Sequence, residues 1–311
     1  MKYLIGTRGS QLSIAQTKWI ISELQKQNPE DSFEIITITT KGDTDARPLF
    51  TIDQKGIFEK EVDRAVSEKR VHFAVHSLKD VPTEISADLT IACIPKREKV
   101  NDILISKNGD TLESLPTGAL IGTSSLRRAV QISRKRPDIK VKPIRGNIET
   151  RVRKVTEGEF DGVILAIAGI TRLGLDTKYS MLTTDDLSPS PGQGALAIVC
   201  RKDDSQTISM LKKIEDNTSR WEIEAERALS KYVDSGCRFP IGAYAKSYGE
   251  SMTLKVSAFS VDGQKSIVVQ KSGPRDEPES LGRTVGKELQ EKGIADLALN
   301  WREKVEEWNK Q

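Results

Sequence analysis

Val71-His72-Phe73-Ala74-Val75 is a short apolar run that breaks directly into His76-Ser77-Leu78-Lys79-Asp80-Val81-Pro82. The run reads as a buried strand, and the polar tail as the turn at its carboxyl end. Upstream, Lys2 to Thr7 reads as a strand, Ser10 to Gln27 as a helix, Phe33 to Thr40 as a strand and Ile57 to Lys69 as a helix. Strand alternating with helix predicts an α/β domain over residues 1–95. The same grammar returns over residues 100–190, with strands near Ile103 to Ser106, Ala119 to Gly122, Val141 to Arg145 and Gly162 to Ile167, and helices at Leu126 to Arg136 and Ile148 to Glu157. Both regions are expected to build mostly parallel sheets. Residues 218–311 change character: a helix from Arg220 to Tyr232 precedes two alternating runs, Leu254 to Ser260 and Ser266 to Lys271, joined through Asp262-Gly263, and a charged helical segment follows from about Glu277 to Trp308. That pattern predicts a small α+β domain.

A chain of 311 residues with 37% hydrophobic and 30% charged positions has the length and composition of a multidomain globular protein. Its longest apolar stretch, Val163 to Ile170, is far short of the ~20 residues that span a bilayer. The strand pattern begins at once after Met1, which argues against a signal peptide and for a cytoplasmic protein. Cys93, Cys200 and Cys237 are odd in number and form no CxxC pair, so neither a disulfide framework nor a zinc site is expected. His72 and His76 are the only histidines, which leaves little for metal clusters or serine-histidine chemistry, and His72 reads as structural. The net charge of +3 conceals a concentration: Ser124 to Lys154 holds eleven Lys or Arg against two acidic residues. An anionic partner follows from that density.

Three places have residues suited to chemistry. Lys79 and Asp80 stand where open α/β sheets bind ligands, at a strand's carboxyl end, although the pair alone also fits a turn with a surface salt bridge. Gly122-Thr123-Ser124-Ser125-Leu126-Arg127-Arg128 is a second strand end entering a helix that Ser124 or Ser125 can cap. Arg127 and Arg128 offer planar forks for carboxylates yet oppose the helix dipole; they fit an anion site, or a solvated helix face. Arg145-Gly146-Asn147 and Arg151 repeat the arrangement. Nucleic acid competes as the anion, but residues 101–159 contain no aromatic side chain to stack on bases. Pro191-Gly192-Gln193-Gly194-Ala195 lacks dinucleotide-binding spacing and reads as a tight turn between domains. The third place is Cys237, between Gly236 and Arg238. A loop thiol near positive charge can act as a nucleophile, and taken alone it also fits an inert cysteine.

Six motifs occur in order: Gly6-Thr7-Arg8-Gly9-Ser10, His76 to Pro82, Gly122 to Arg128, Ile144-Arg145-Gly146-Asn147, Gly192-Gln193-Gly194-Ala195 and Ser235-Gly236-Cys237-Arg238-Phe239-Pro240-Ile241-Gly242. Together they resemble the hydroxymethylbilane synthase family, also called porphobilinogen deaminase. The resemblance implies two α/β domains like type 2 periplasmic binding proteins, with the active cleft between them, and a third, smaller α+β domain. It returns the chain to the first domain near residues 193–214. It implies a monomeric transferase of porphyrin, heme and wider tetrapyrrole biosynthesis that joins four porphobilinogen molecules head to tail, releases ammonia, and frees hydroxymethylbilane with water. The cofactor it implies is a dipyrromethane held by thioether to Cys237, with Lys79, Ser125, Arg127, Arg128 and Gly146 around it. Asp80 takes the catalytic role, while Arg8, Ser10, Lys55, Phe58, Arg145, Arg151 and Arg172 match substrate-binding positions. No metal, nucleic acid or membrane is expected as partner. The chain departs from the family at Asp53-Gln54-Lys55-Gly56, where many members have Gly-Gly-Lys-Gly. A non-catalytic anion-binding module of the periplasmic type is the competing reading.

Overall fold

A computed structural model of the chain describes residues 1–40, 59–233 and 240–299, with Glu303 and Glu306. The polypeptide divides into two compact units, Met1–Glu98 with Gly194–Trp221, and Lys99–Gln193 with Glu222–Gln311.

The first unit is one sheet with helices against it. Its strands are β1 (Lys2–Arg8), β2 (Ser32–Ile38), β3 (Phe73–Ser77), β4 (Leu89–Cys93) and β10 (Leu196–Arg201), in the order β2-β1-β3-β10-β4. Helix α1 (Gln11–Gln27) starts where the Ser10 hydroxyl accepts the Ser13 amide, a bond that satisfies one of the orphan donors of the first turn. Its Ile20 and Leu24 are fully buried among Tyr3, Ile5, Phe73, Val75, Ile198 and Cys200. Burying each such leucine or isoleucine stabilises by about 1.5–3 kcal/mol. Helix α2 (Lys60–Ser67) buries Val62, Ala65 and Val66.

The expectation of parallel pairing is only partly met. β1 is parallel to β2 and β3, but β10 runs antiparallel to both β3 and β4. β10 enters the sheet far later in the chain than its neighbours and not through a right-handed helical crossover, so nothing forces it parallel.

The second unit contains β5 (Asp102–Ser106), β6 (Leu120–Gly122), β7 (Lys140–Lys142), β8 (Gly162–Ala166) and β9 (Ser180–Met181), ordered β7-β6-β8-β5-β9. Helices α3 (Leu126–Lys135), α4 (Ile148–Thr156) and α5 (Ile167–Leu173) follow β6, β7 and β8 in turn. β6 is parallel to β7 and β8, whereas β5 is antiparallel to β8 and β9. The two five-stranded sheets therefore share one plan: three parallel strands, then one antiparallel strand, then an edge strand. In each, the antiparallel strand borders a point where the chain passes from one unit to the other, β5 soon after Lys99 and β10 soon after Gly194. This is the doubled α/β architecture expected from the resemblance.

The second unit also carries a three-stranded antiparallel meander, β11 (Ile241–Tyr248), β12 (Ser251–Phe259) and β13 (Ser266–Pro274). Met252, Leu254, Val256 and Ala258 point to one face and are fully buried, as a period of two requires. Helices α7 (Asn217–Tyr232), α8 (Pro278–Glu291) and the short α9 (Ile294–Leu297) complete that core through Ala225, Leu229, Leu281, Val285 and Leu289. The Asp262-Gly263 turn forms where expected, with Gly263 at φ +71°. Helix α6 (Ser205–Lys212) belongs to the first unit.

Candidate active site

In the first unit, β1 and β3 are parallel, so their carboxyl ends lie on one edge of the sheet. Arg8 closes β1, and Ser10 caps the helix that follows. β3 passes straight into a 3-10 turn, Leu78–Asp80. Three contacts fix that turn: the Leu78 amide donates to the Ala195 carbonyl (3.0 Å), the Val81 amide to the Leu78 carbonyl (3.0 Å), and the Gln16 side-chain amide to the Ser77 hydroxyl (2.9 Å). With Leu78 only 2% exposed, the turn is anchored from below while Asp80 is exposed and Lys79 half-buried. A carboxylate on a rigid, anchored turn is positioned without waiting for a ligand.

Beneath it lies a group of residues that the sequence reading left unassigned. His76 Nε2 is 2.9 Å from Asp63 Oδ1, and both side chains are buried. Glu59, at the foot of α2, is also buried, and its carboxyl is pushed up from the ordinary 4.5 to about 8. Burial is the first cause, the charges of Asp80 and Asp63 add to it, and Arg8 opposes it. His72 is structural, as expected: its Nδ1 accepts the Leu4 amide at 2.9 Å.

In the second unit, β6, β7 and β8 are parallel and their carboxyl ends carry Thr123 to Arg128, Arg145-Gly146, and α5 with Arg172. Ser125 occupies the N-cap of α3 without a capping side-chain bond; the Ser124 hydroxyl instead donates to the Ile144 carbonyl. Arg127 and Arg128 are buried, not on a solvated face. Both reach the fully buried Asp102 at the start of β5: Arg127 Nη2 donates to Oδ2 (2.8 Å) and Arg128 Nη2 to Oδ1 (2.7 Å). The Gln193 side-chain amide donates to the same Oδ1 (2.8 Å). Burial opposes ionisation of Asp102, but Arg128 and Arg127 together hold its carboxyl well below the usual range. The opposed helix dipole that suggested a ligand is thus answered first from inside the protein, by Asp102.

One carboxylate does not neutralise two guanidiniums. Arg128 also donates from Nη1 to the Ile164 carbonyl (3.2 Å), while its buried Nε has no hydrogen-bond partner among the described residues. Arg151, half-buried in α4, is lowered to about 10 by burial and by the positive charges of Arg128 and Arg145. Its Nε donates to the Gly146 carbonyl at 2.8 Å. Gly146 has φ +112°, and a Cβ there would stand 2.6 Å from the Thr150 methyl, so only glycine makes this turn before the Asn147-capped helix. Arg145 is exposed and Arg172 half-buried. Mutually repelling guanidiniums beside an unpaired buried N–H suit a ligand carrying several carboxylates. Lys55, Phe58 and Cys237 lie outside the described residues.

Cys93 and Cys200 are free and buried. Burial pushes the Cys93 thiol upward and raises Cys200 to about 12, so neither resembles a nucleophile. Among the described residues no group of His, Cys, Asp and Glu could hold a metal, and no helix is long and apolar enough to cross a membrane.

The fold and site define an α/β protein with a cluster of arginines at the carboxyl ends of the strands of its second unit. Residues 3–209 match the family described as "Porphobilinogen deaminase, dipyromethane cofactor binding domain", and residues 221–291 match "Porphobilinogen deaminase, C-terminal domain". The chain is 68% identical over 310 residues to a "Probable porphobilinogen deaminase" of Nitrosopumilus maritimus, covering 100% of both, and 43% identical over 300 residues to the "Porphobilinogen deaminase" of Brevibacillus brevis, covering 95% of this chain and 96% of that one. Among solved structures it is similar to the "BenM effector binding domain with its effector benzoate", at 15% identity and a TM-score of 0.40, over 68% of this chain and 89% of that one. The chain belongs to the porphobilinogen deaminase family.

Proposed function

We propose that the chain is a hydroxymethylbilane synthase, a transferase that condenses four porphobilinogen molecules head to tail with release of ammonia and then frees hydroxymethylbilane by hydrolysis, in tetrapyrrole biosynthesis. Family membership along the whole chain carries this reading. A non-catalytic anion-binding module accounts only for the first two sheets, whereas the family match continues through residues 221–291.

The cationic cluster suits the cofactor. Arg127, Arg128, Ser125 and Gly146 would hold the carboxylates of the dipyrromethane together with Lys79, and Cys237 would carry its thioether. When bound, that group supplies the pyrrole end from which the product grows. Arg8, Ser10, Arg145, Arg151 and Arg172, with Lys55 and Phe58, would bind porphobilinogen and the lengthening product, whose acetate and propionate groups add negative charge at each step. As ammonia leaves a substrate molecule, positive charge develops on its pyrrole nitrogen. Asp80, fixed on its anchored turn and exposed, would stabilise that charge and assist proton transfer. A division into three domains (1–95 with about 193–214, 100–190 and 218–311), a monomeric state and a cytoplasmic location belong to the same reading.

Assay of porphobilinogen consumption and ammonia release tests it. The parent chain turns porphobilinogen over, and Asp80→Asn loses turnover by about 10²–10⁴-fold, the usual contribution of a positioned acid or base. Near-parental turnover in that variant would remove Asp80 from the role; a parent chain inert towards porphobilinogen would overturn the function itself.

A further inference from the structure

Arg127 and the strand that follows Cys237 stand far apart in the chain, yet one buried side chain ties their neighbourhoods together. Gln131 lies one turn after Arg127 in α3 and is 6% exposed. Its side-chain amide meets the backbone of the buried Ser188 in both directions: the Ser188 amide donates to Gln131 Oε1 at 2.8 Å, and Gln131 Nε2 donates to the Ser188 carbonyl at 3.3 Å. A neighbouring strand would offer the same exchange of bonds; here a side chain supplies it. The same nitrogen donates to the Arg127 carbonyl at 3.1 Å, and Arg127 Nη1 donates to the Ser188 carbonyl as well. On its other side this segment meets β11. The Ala243 amide donates to the Pro189 carbonyl at 2.8 Å, and a Cβ at Gly242 would stand 2.6 Å from the Ser188 carbonyl oxygen. Ser188 and Pro189 thus form a seam between α3 and β11 within the second unit. Pro240, just before β11, is buried, and its carbonyl accepts the Phe259 amide at 3.0 Å. Cys237 precedes Pro240 by three residues, a length of chain that spans at most about 11 Å.

We propose that Gln131 is a positioning residue for the primer: through Ser188 it holds Arg127 and the start of β11 in one register, so that a single dipyrromethane can make its thioether and its carboxylate contacts together. A ligand gripped at two ends gains the second grip at high effective concentration only where the spacing of the grips matches its own length. The Gln131 amide is already engaged by Ser188 and Arg127, so its influence passes through them. The proposal rests on the reading of Cys237 as the anchor and of Arg127 and Arg128 as cofactor contacts.

Hydrogen exchange of the apoprotein, read at single amides, needs neither primer nor variant. Ser188 and Ala243 should both be protected, and free exchange at either overturns the seam. The second measurement is the rate at which apoprotein incubated with porphobilinogen gains two pyrrole units, read by intact mass, for the parent, Gln131→Met and Leu24→Ala. Methionine keeps the length of glutamine without its hydrogen bonds, and Leu24→Ala weakens the core of the first unit as a control for lost stability. Gln131→Met should load more slowly by roughly tenfold or more and lose protection at Ala243, whereas Leu24→Ala should load within about twofold of the parent. Should Gln131→Met not fold, Gln131→Asn, one methylene too short for both bonds, is read by the same criteria. Parent-like loading in the Gln131 variant, or an equal loss in Leu24→Ala, overturns the proposal. A parent that never gains the mass overturns the reading of Cys237 and this role with it, even where hydrogen exchange upholds the seam.

Discussion

At the scale of single residues, Asp102 ties together three side chains from distant parts of the chain. It is fully buried and accepts from Arg127, Arg128 and Gln193. Removing one partner from a buried ion pair leaves the other charge uncompensated, at a cost of about 3–5 kcal/mol. Asp102→Asn is therefore expected to lower the urea midpoint substantially and to disturb the orientation of both arginines, read as weaker retention of the cofactor; an Asn variant as stable as the parent would show that the arginines find other partners. The folded pKa of Asp102 is depressed, so its stabilisation is present above the ordinary carboxylate range and is lost only as pH falls through that lower folded value. Glu59 has the opposite sign. Its folded pKa is raised from 4.5 to about 8, so its contribution is full below 4.5 and declines as pH rises through about 8. The urea stability of the parent should accordingly fall by up to a few kcal/mol between about pH 5 and pH 8, and that slope should be shallower in Glu59→Gln. Equal slopes would mean that Glu59 ionises normally. Lys79 and Asp80 could be picked out from sequence because strand, turn and acid are adjacent. Asp102 could not, because its partners stand 25, 26 and 91 residues away and meet it only once the sheet forms. The one local hint is a charged residue opening the apolar run Asp102-Ile103-Leu104-Ile105.

At the scale of elements, helices were read well where a cap and an apolar stripe coincide. Helix α1 begins one residue after the predicted start, with Ser10 as its cap, and α3 and α4 each end one residue before the predicted end. Strands with a buried face and an open face, such as β12, were legible from alternation. β10 was not, since Leu196-Ala197-Ile198-Val199-Cys200 is buried on both faces and shows no period. β4 has only five residues, and the alternation of β11 is blunted by Gly242, Ala243, Ala245 and Ser247. The close approach of α7 and α8 gives an element-scale prediction. A Cβ at Gly282 would stand 2.5 Å from the Ala225 carbonyl oxygen and 2.7 Å from Ala228 Cβ, so the helices must part to admit one. Gly282→Ala is expected to destabilise by about 1–3 kcal/mol despite the helix propensity it gains, as a shift in denaturant midpoint. A stabilised variant would show that the helix pair tolerates separation.

At the scale of the whole molecule, the doubled architecture is written in chain order more than in local pattern. Each five-stranded sheet receives its antiparallel strand beside a crossing between units, so no local window of sequence contains the sheet that it builds. Alternation of strand and helix marks the two α/β regions, and the six ordered motifs add the return of the chain to the first near residues 193–214. The chemistry follows the same logic, with Asp80 on an edge of the first unit and the arginine cluster on an edge of the second. The central claim is that this scaffold serves a primer anchored at Cys237, and intact-mass measurement under denaturing conditions tests it most directly. Protein prepared with porphobilinogen present should be heavier than its sequence by two pyrrole units, and Cys237→Ser should lack that excess. A parent chain at its bare sequence mass, or a Cys237→Ser variant that keeps the adduct, would contradict the account.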